Sequence, residues 1–155
     1  VHVMGGAVNV PGNITEHAEF NIYCDPEAAN EVLSSGLDIK LCGLDITRET
    51  SIKREETEWL KGDSSGERLI RELLDIVFRK LTDRNYFSLH DPIAVLSVLH
   101  PELIQWKTSK VSVACDGKNV GKTSALDEPN GSVAIGIDID EDAAKAKIAE
   151  ILEQH

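Results

Sequence analysis

Gly12-Asn13-Ile14-Thr15-Glu16-His17-Ala18-Glu19-Phe20-Asn21-Ile22-Tyr23-Cys24-Asp25-Pro26-Glu27 concentrates amide, carboxylate and Gly/Pro chemistry in a stretch too polar and irregular to be core. Its end is a helix start, with Asp25 as N-cap, Pro26 at the first helical position and Glu27 in the first turn. Ala28, Ala29, Val32 and Leu33 give that helix an apolar face, and Gly36 is placed to end it. Glu19 and Asn21 are two residues apart, so an extended backbone points both side chains to one face. A carboxylate only accepts hydrogen bonds and an amide both donates and accepts, a pair suited to a set of hydroxyl groups. The same residues can equally be loop polarity capping the next helix, and Asn13 after Gly12 can be a turn residue and nothing more.

Outward from that stretch, strands and helices interleave. His2-Val3-Met4 reads as a strand end running into a Gly5-Gly6 loop, and 38–43 as a short buried strand followed by a loop at Leu44-Asp45-Ile46-Thr47. Residues 48–64 are charged, with Ile52, Trp59 and Leu60 as their apolar anchors, and predict a short surface helix before a mobile link at 62–66. Apolar residues at helical spacing over 67–80 predict the clearest helix, with Arg68, Arg71, Glu72 and Asp75 on its solvated face. Asp91-Pro92 opens another, nearly apolar all round through Ile93, Ala94, Val95, Leu96, Val98 and Leu99, and expected to be buried. Alternation over 111–115, the turn Asp116-Gly117-Lys118-Asn119 and 121–126 predict a hairpin; 133–139 predicts a strand and 143–152 a closing amphipathic helix. The class is α/β, a mixed sheet with helices on its faces and an antiparallel hairpin near the C-terminus, as one domain over 1–155. Ligands of such sheets sit beyond the carboxyl ends of the strands, where both candidate stretches lie.

Composition narrows the function. A net charge of −11 over 155 residues would repel phosphate backbones and anionic lipid, so nucleic acid and membrane surfaces are poor partners. A neutral or cationic small ligand, or a divalent metal, is easier to accommodate. Cys24, Cys42 and Cys115 show no zinc or disulfide spacing, which together with the absence of a secretory prologue predicts a cytoplasmic protein. The chain starts on Val1 inside a strand, as a piece of a longer protein would.

His90 and Asp91 form the second candidate site. Asp91 can bind a metal while the His90 imidazole passes a proton to a leaving group; the plainer reading is that Asp91-Pro92 caps a helix and His90 hydrogen-bonds in the interior. The acidic run Asp138-Ile139-Asp140-Glu141-Asp142 reads as an N-cap rather than a metal site. Gly117 to Thr123 ends like a phosphate loop, but its first glycine is one residue too close and it lies in a hairpin, so that reading fails. His2, His17, His100 and His155 lack partners at ligand spacing and read as structural or exposed.

Met4-Gly5-Gly6, Gly12-Asn13, Ala18-Glu19-Phe20-Asn21-Ile22, Asp25-Pro26-Glu27-Ala28-Ala29, Gly43-Leu44-Asp45-Ile46-Thr47 and His90-Asp91-Pro92 with Ala94-Val95 resemble, in order, the C-terminal half of the inosine-uridine-preferring nucleoside hydrolase family. The resemblance extends through Gly121-Lys122-Thr123 and from Asn130 to Asp140. It implies part of a Rossmann-like fold and cleavage of the N-glycosidic bond of purine or pyrimidine nucleosides to base and ribose. It also implies that Glu19 and Asn21 bind ribose hydroxyls with Asn13 and Met4 beside them, that Asp91 is a ligand of Ca2+, and that His90 helps the base depart. The family's Asp-x-Asp-x-x-x-Asp-Asp motif, which holds most of the calcium and supplies the base for the attacking water, has no match here. Two expectations follow: a piece of a longer hydrolase, inactive alone, or a non-catalytic ribose-binding or assembly module. Its partners would be a nucleoside, the missing N-terminal half, or further copies of itself covering an exposed sheet edge.

Overall fold

The computed structural model describes residues 1–59, 62, 64–80 and 85–153, residues 58 and 59 in their backbone alone. Leu60 of the expected surface segment, Asp63 of the expected link and His155 lie outside the described residues.

A five-stranded mixed sheet runs β1 (His2–Met4), β2 (Ile39–Cys42), β7 (Val133–Ile139), β5 (Ile104–Val113) and β6 (Thr123–Asp127) across its width. β1, β2 and β7 are parallel, while β5 pairs antiparallel with both β7 and β6, the latter being the expected hairpin. Side chains alternate across the sheet. Ile39 and Leu41 join Val133, Ile135, Ile22 and Leu33 in the core under α1 (Phe20–Cys24) and α2 (Pro26–Leu33). Cys42 joins the opposite core, made with Ile46, Ile93, Leu96 and Ala144 of α3 (Leu44–Thr47), α5 (His90–Leu99) and α6 (Glu141–Glu153). A second, two-stranded antiparallel sheet joins β3 (Ser51–Lys53) to β4 (Tyr86–Ser88).

Caps set several boundaries. Asp25 Oδ1 accepts from the Ala28 N–H at 3.0 Å with Pro26 at the helix start, as its sequence predicts. Asp140 Oδ1 accepts from the Ala143 N–H at 3.0 Å, so the acidic run is a cap for α6. Of the expected mobile link, the described residues serve the start of α4 (Ser65–Lys80): Ser64 and Glu67 satisfy each other's N–H groups as a capping box, and Gly62 N–H donates to Glu67 Oε1 at 3.1 Å.

Three further expectations need correction. Leu44 to Thr47 is a buried helix rather than a loop, and part of the charged 48–64 segment is strand β3, leading into a 3-10 turn at Arg54–Trp59. α5 is not buried all round. Ile93 and Leu96 are packed, but Val95, Val98 and Leu99 stay 55–60% exposed, because the helix lies over β1 and β2 at the margin of the sheet. No helix among the described residues is long and apolar enough to cross a membrane.

Candidate functional site

The loop from Gly5 to Glu19 leaves the carboxyl end of β1 and turns back on itself before α1. Gly12 permits the turn: a Cβ there would lie 2.2 Å from the Ala18 carbonyl oxygen, so no larger residue fits the conformation that brings the Asn13 N–H to Ala18 O. Two residues of the α3 region hold the loop from below. The buried Asp45 carboxylate accepts from the N–H groups of Val8 and Asn9 at 2.9 and 2.8 Å and from the Asn9 amide at 3.1 Å. The Arg48 guanidinium donates to the carbonyls of Pro11 and Gly12, both at 2.7 Å.

Glu19 and Asn21 are not an extended pair. Glu19 is extended, but the chain turns at once into α1, and Asn21 is already helical. The Glu19 side chain is 2% exposed and caps α1, accepting from the N–H groups of Asn21 and Ile22 while also accepting from Gly6 N–H at 3.1 Å. Asn21 Nδ2 donates to the Met4 carbonyl at 3.3 Å and contacts the Met4 sulfur, and Asn13 Oδ1 accepts from Phe20 N–H at 2.8 Å. Met4, Asn13, Glu19 and Asn21 therefore belong to one connected patch at the end of β1.

His90 and Asp91 open α5, which starts two residues earlier than the Asp-Pro signal suggests. Leu89 is the N-cap residue, without a side-chain cap, so the Asp91 carboxylate is not spent on capping and stands exposed in the first turn. His90 Nδ1 lies 2.7 Å from the hydroxyl of the fully buried Thr47. Burial pushes the imidazole below its ordinary pKa; the nearby charges of Asp91 and Glu19 oppose that shift and Arg48 adds to it. Glu19 lies close enough for its charge to be felt at the ring.

His90 and Asn13 line the same cleft, of about 640 Å³, together with Gly12, Arg48 and the Ser51 and Ser88 hydroxyls. Of the predicted site residues, His90 and Asn13 line the cleft, and Met4, Glu19, Asn21 and Asp91 do not. Three residues escaped sequence reasoning: Arg48, which lines the cleft, Thr47, which contacts His90, and Asp45, which holds the loop. The available signal was the block Gly43-Leu44-Asp45-Ile46-Thr47, in which an acid and a hydroxyl alternate with residues destined for the core. Calcium takes about six to eight oxygen ligands. The described residues contain no group of three or more His, Cys, Asp or Glu side chains placed to share an ion, so they do not by themselves fit a calcium cage.

Comparison with known proteins gives a consistent result. A family model described as inosine-uridine preferring nucleoside hydrolase matches residues 1–149. The pyrimidine-specific ribonucleoside hydrolase RihA of Salmonella newport is 36% identical over 148 residues, covering 88% of this chain and 47% of the relative. RihA of Citrobacter koseri is 35% identical over the same span. Among solved structures, a plant nucleoside hydrolase, PpNRh1, superposes with a TM-score of 0.85 at 28% identity, over 96% of this chain and 52% of that one. A purine-preferring ribonucleoside hydrolase from Gardnerella vaginalis has the same fold, with a TM-score of 0.88 at 24% identity over 96% of this chain and 50% of its own. The chain spans about half the length of the curated relatives it matches.

Proposed function

The chain belongs to the inosine-uridine preferring nucleoside hydrolase family, and from that premise we propose that it forms the ribose-binding and base-departure wall of an enzyme hydrolysing ribonucleosides to free base and ribose. The observation that carries the reading is the meeting of Asn13 and His90 at one cleft beside the buried Glu19. Breaking the bond between ribose and base sends its electron pair to the base and leaves positive charge on the sugar. The carboxylates of Glu19 and Asp91 favour that charge. Asn21 and Asn13 supply amide groups to the ribose hydroxyls, Met4 packs beside them, and His90 assists the departing base. Pyrimidine nucleosides are the first substrates to consider, since the relatives at 34–36% identity are named pyrimidine-specific. Asp91 would supply one carboxylate to a calcium site; we propose that the remaining ligands and the group that activates the attacking water come from polypeptide outside these 155 residues.

A second reading, a non-catalytic ribose-binding or assembly module, draws on the same lack of a ligating cluster among the described residues. One experiment separates them. The chain is incubated with uridine, cytidine or inosine in calcium, alone and joined to an N-terminal half taken from a relative, and released ribose is measured. The expected outcome is negligible turnover alone and uridine hydrolysis once joined, lost again in His90→Ala. Ribose release by the chain alone would overturn the division of labour, and a joined form that binds ribose without hydrolysing any nucleoside would favour the module.

A further inference from the structure

Thr47 sits in a short helix whose residues are all buried, and its side chain is 0% exposed. A threonine in a helix ordinarily returns its hydroxyl proton to the carbonyl one turn back. Here the Gly43 carbonyl already receives the Thr47 N–H at 3.1 Å, and among the described residues the partner recorded for the hydroxyl is His90 Nδ1, at 2.7 Å. The direction of that hydrogen bond decides where the imidazole keeps its proton.

A hydroxyl has one proton to give and lone pairs to spare. If Nδ1 carried a proton and donated it to Thr47, the hydroxyl proton would be left in the interior without an acceptor. A buried donor without a partner is the costly case, whereas a spare lone pair is cheap. One form satisfies both groups: the neutral ring with Nδ1 accepting from Thr47 and the proton on Nε2. We propose that Thr47 is a positioning residue that locks His90 in this form, so that the wall of the cleft presents a hydrogen-bond donor at Nε2 and never an acceptor.

The chemical consequence rests on the role proposed above for His90; the placement of the proton does not. With Nδ1 taken up by Thr47, the ring nitrogen left for the cleft is Nε2, and His90 acts through the hydrogen it carries there. It donates a hydrogen bond to an acceptor on the base, such as a pyrimidine carbonyl oxygen, and strengthens it as the bond to ribose breaks and electron density moves onto the ring. The geometry selects bases with an acceptor facing Nε2 over those with a donor there.

The test is 15N NMR of the histidine-labelled chain at neutral pH, with the His90 signals identified by their loss in His90→Gln. In the unsubstituted protein Nδ1 is expected as the unprotonated, hydrogen-bonded ring nitrogen and Nε2 as the protonated one. Thr47→Val, which keeps the shape and removes the hydroxyl, should move the Nδ1 resonance toward that of an unpaired nitrogen, and Thr47→Ser should restore it. A protonated Nδ1 in the unsubstituted protein would overturn the proposal, as would an Nδ1 resonance indifferent to Thr47→Val. Should that variant not fold, the unsubstituted spectrum and Thr47→Ser still decide. A Nε2-protonated His90 whose replacement leaves uridine hydrolysis intact in the joined form would sink its reaction role and leave the positioning by Thr47 standing.

Discussion

Replacing Asp45 with alanine should detach the site loop from its floor. The carboxylate, 8% exposed, accepts from two main-chain N–H groups and one side-chain amide at 2.8–3.1 Å. A hydrogen bond to a charged group contributes about 1.5–3 kcal/mol, and a donor stranded in the interior costs about as much again. Neither main-chain donor is fully stranded here, because Asn9 is exposed and Val8 half-buried, so water can reach them once the carboxylate is gone. The estimate therefore falls to about 2 kcal/mol rather than the sum of the separate bonds. Asp45→Asn keeps one acceptor oxygen but turns an NH2 group toward the other N–H, and should lose about half as much. Urea unfolding followed by far-UV circular dichroism reads the difference directly. With a slope of roughly 2 kcal/mol per molar, the Asp45→Ala midpoint should fall by about 1 M and the Asp45→Asn midpoint by about 0.5 M. An Asp45→Ala midpoint within about 0.2 M of the unsubstituted protein would mean that the loop does not depend on this anchor.

Glu19→Gln tests the cap. One amide oxygen cannot serve the N–H groups of Gly6, Asn21 and Ile22 together, so the chain should lose about 1–2 kcal/mol; unchanged stability would show that the carboxylate is dispensable to α1. The imidazoles of His2 and His90 give the pH dependence. Burial is the leading cause that lowers both, so between pH 7.5 and 5 the unfolded chain binds more protons than the folded one, and their stabilisation is complete above the ordinary imidazole value of about 6.5 and lost as pH falls. Urea midpoints in that range should decline toward acid, and less steeply in a His2→Gln, His90→Gln double variant; parallel slopes would contradict the assignment.

Local chemistry was legible wherever it is written in consecutive residues. Asp25-Pro26-Glu27 specified a helix start down to its capping oxygen, and the alternation of Val133, Ile135, Ile137 and Ile139 specified a strand. Periodicity failed where elements are too short to show any. α3 has four residues and β3 and β4 three each, barely more than one repeat of their periods and too few to establish a pattern, so α3 and β3 were lost in loop and charge and β4 went unread. The first part of β5 was hidden for another reason: one face of that strand is exposed, and its polar residues mask the buried Ile104 and Ser109. At the site, the types and order of Asn13, Glu19, His90 and Asp91 drew attention, but the contact of Thr47 with His90 joins residues far apart in the chain and has no local signature. A capping role for Glu19 was one of the two readings its sequence left open, but the helix it caps, the five-residue α1, went unread.

The order of strands in the sheet bears on how the molecule is made. β2, completed at Cys42, pairs on one side with β1, but its other neighbour is β7, whose residues begin at Val133. During synthesis the β2 segment must therefore wait for its second neighbour, with Ile39 and Leu41 unpaired on that side, until the residues of β7 have left the ribosome. Closure across so long a separation is slow. The hairpin of β5 and β6, formed from neighbouring segments, is the natural early template, and β7 joins it before β2 can dock. A ribosome stalled before residue 133 should hold a chain that chaperones bind and proteases cut, and release a few dozen codons later should yield one that resists both.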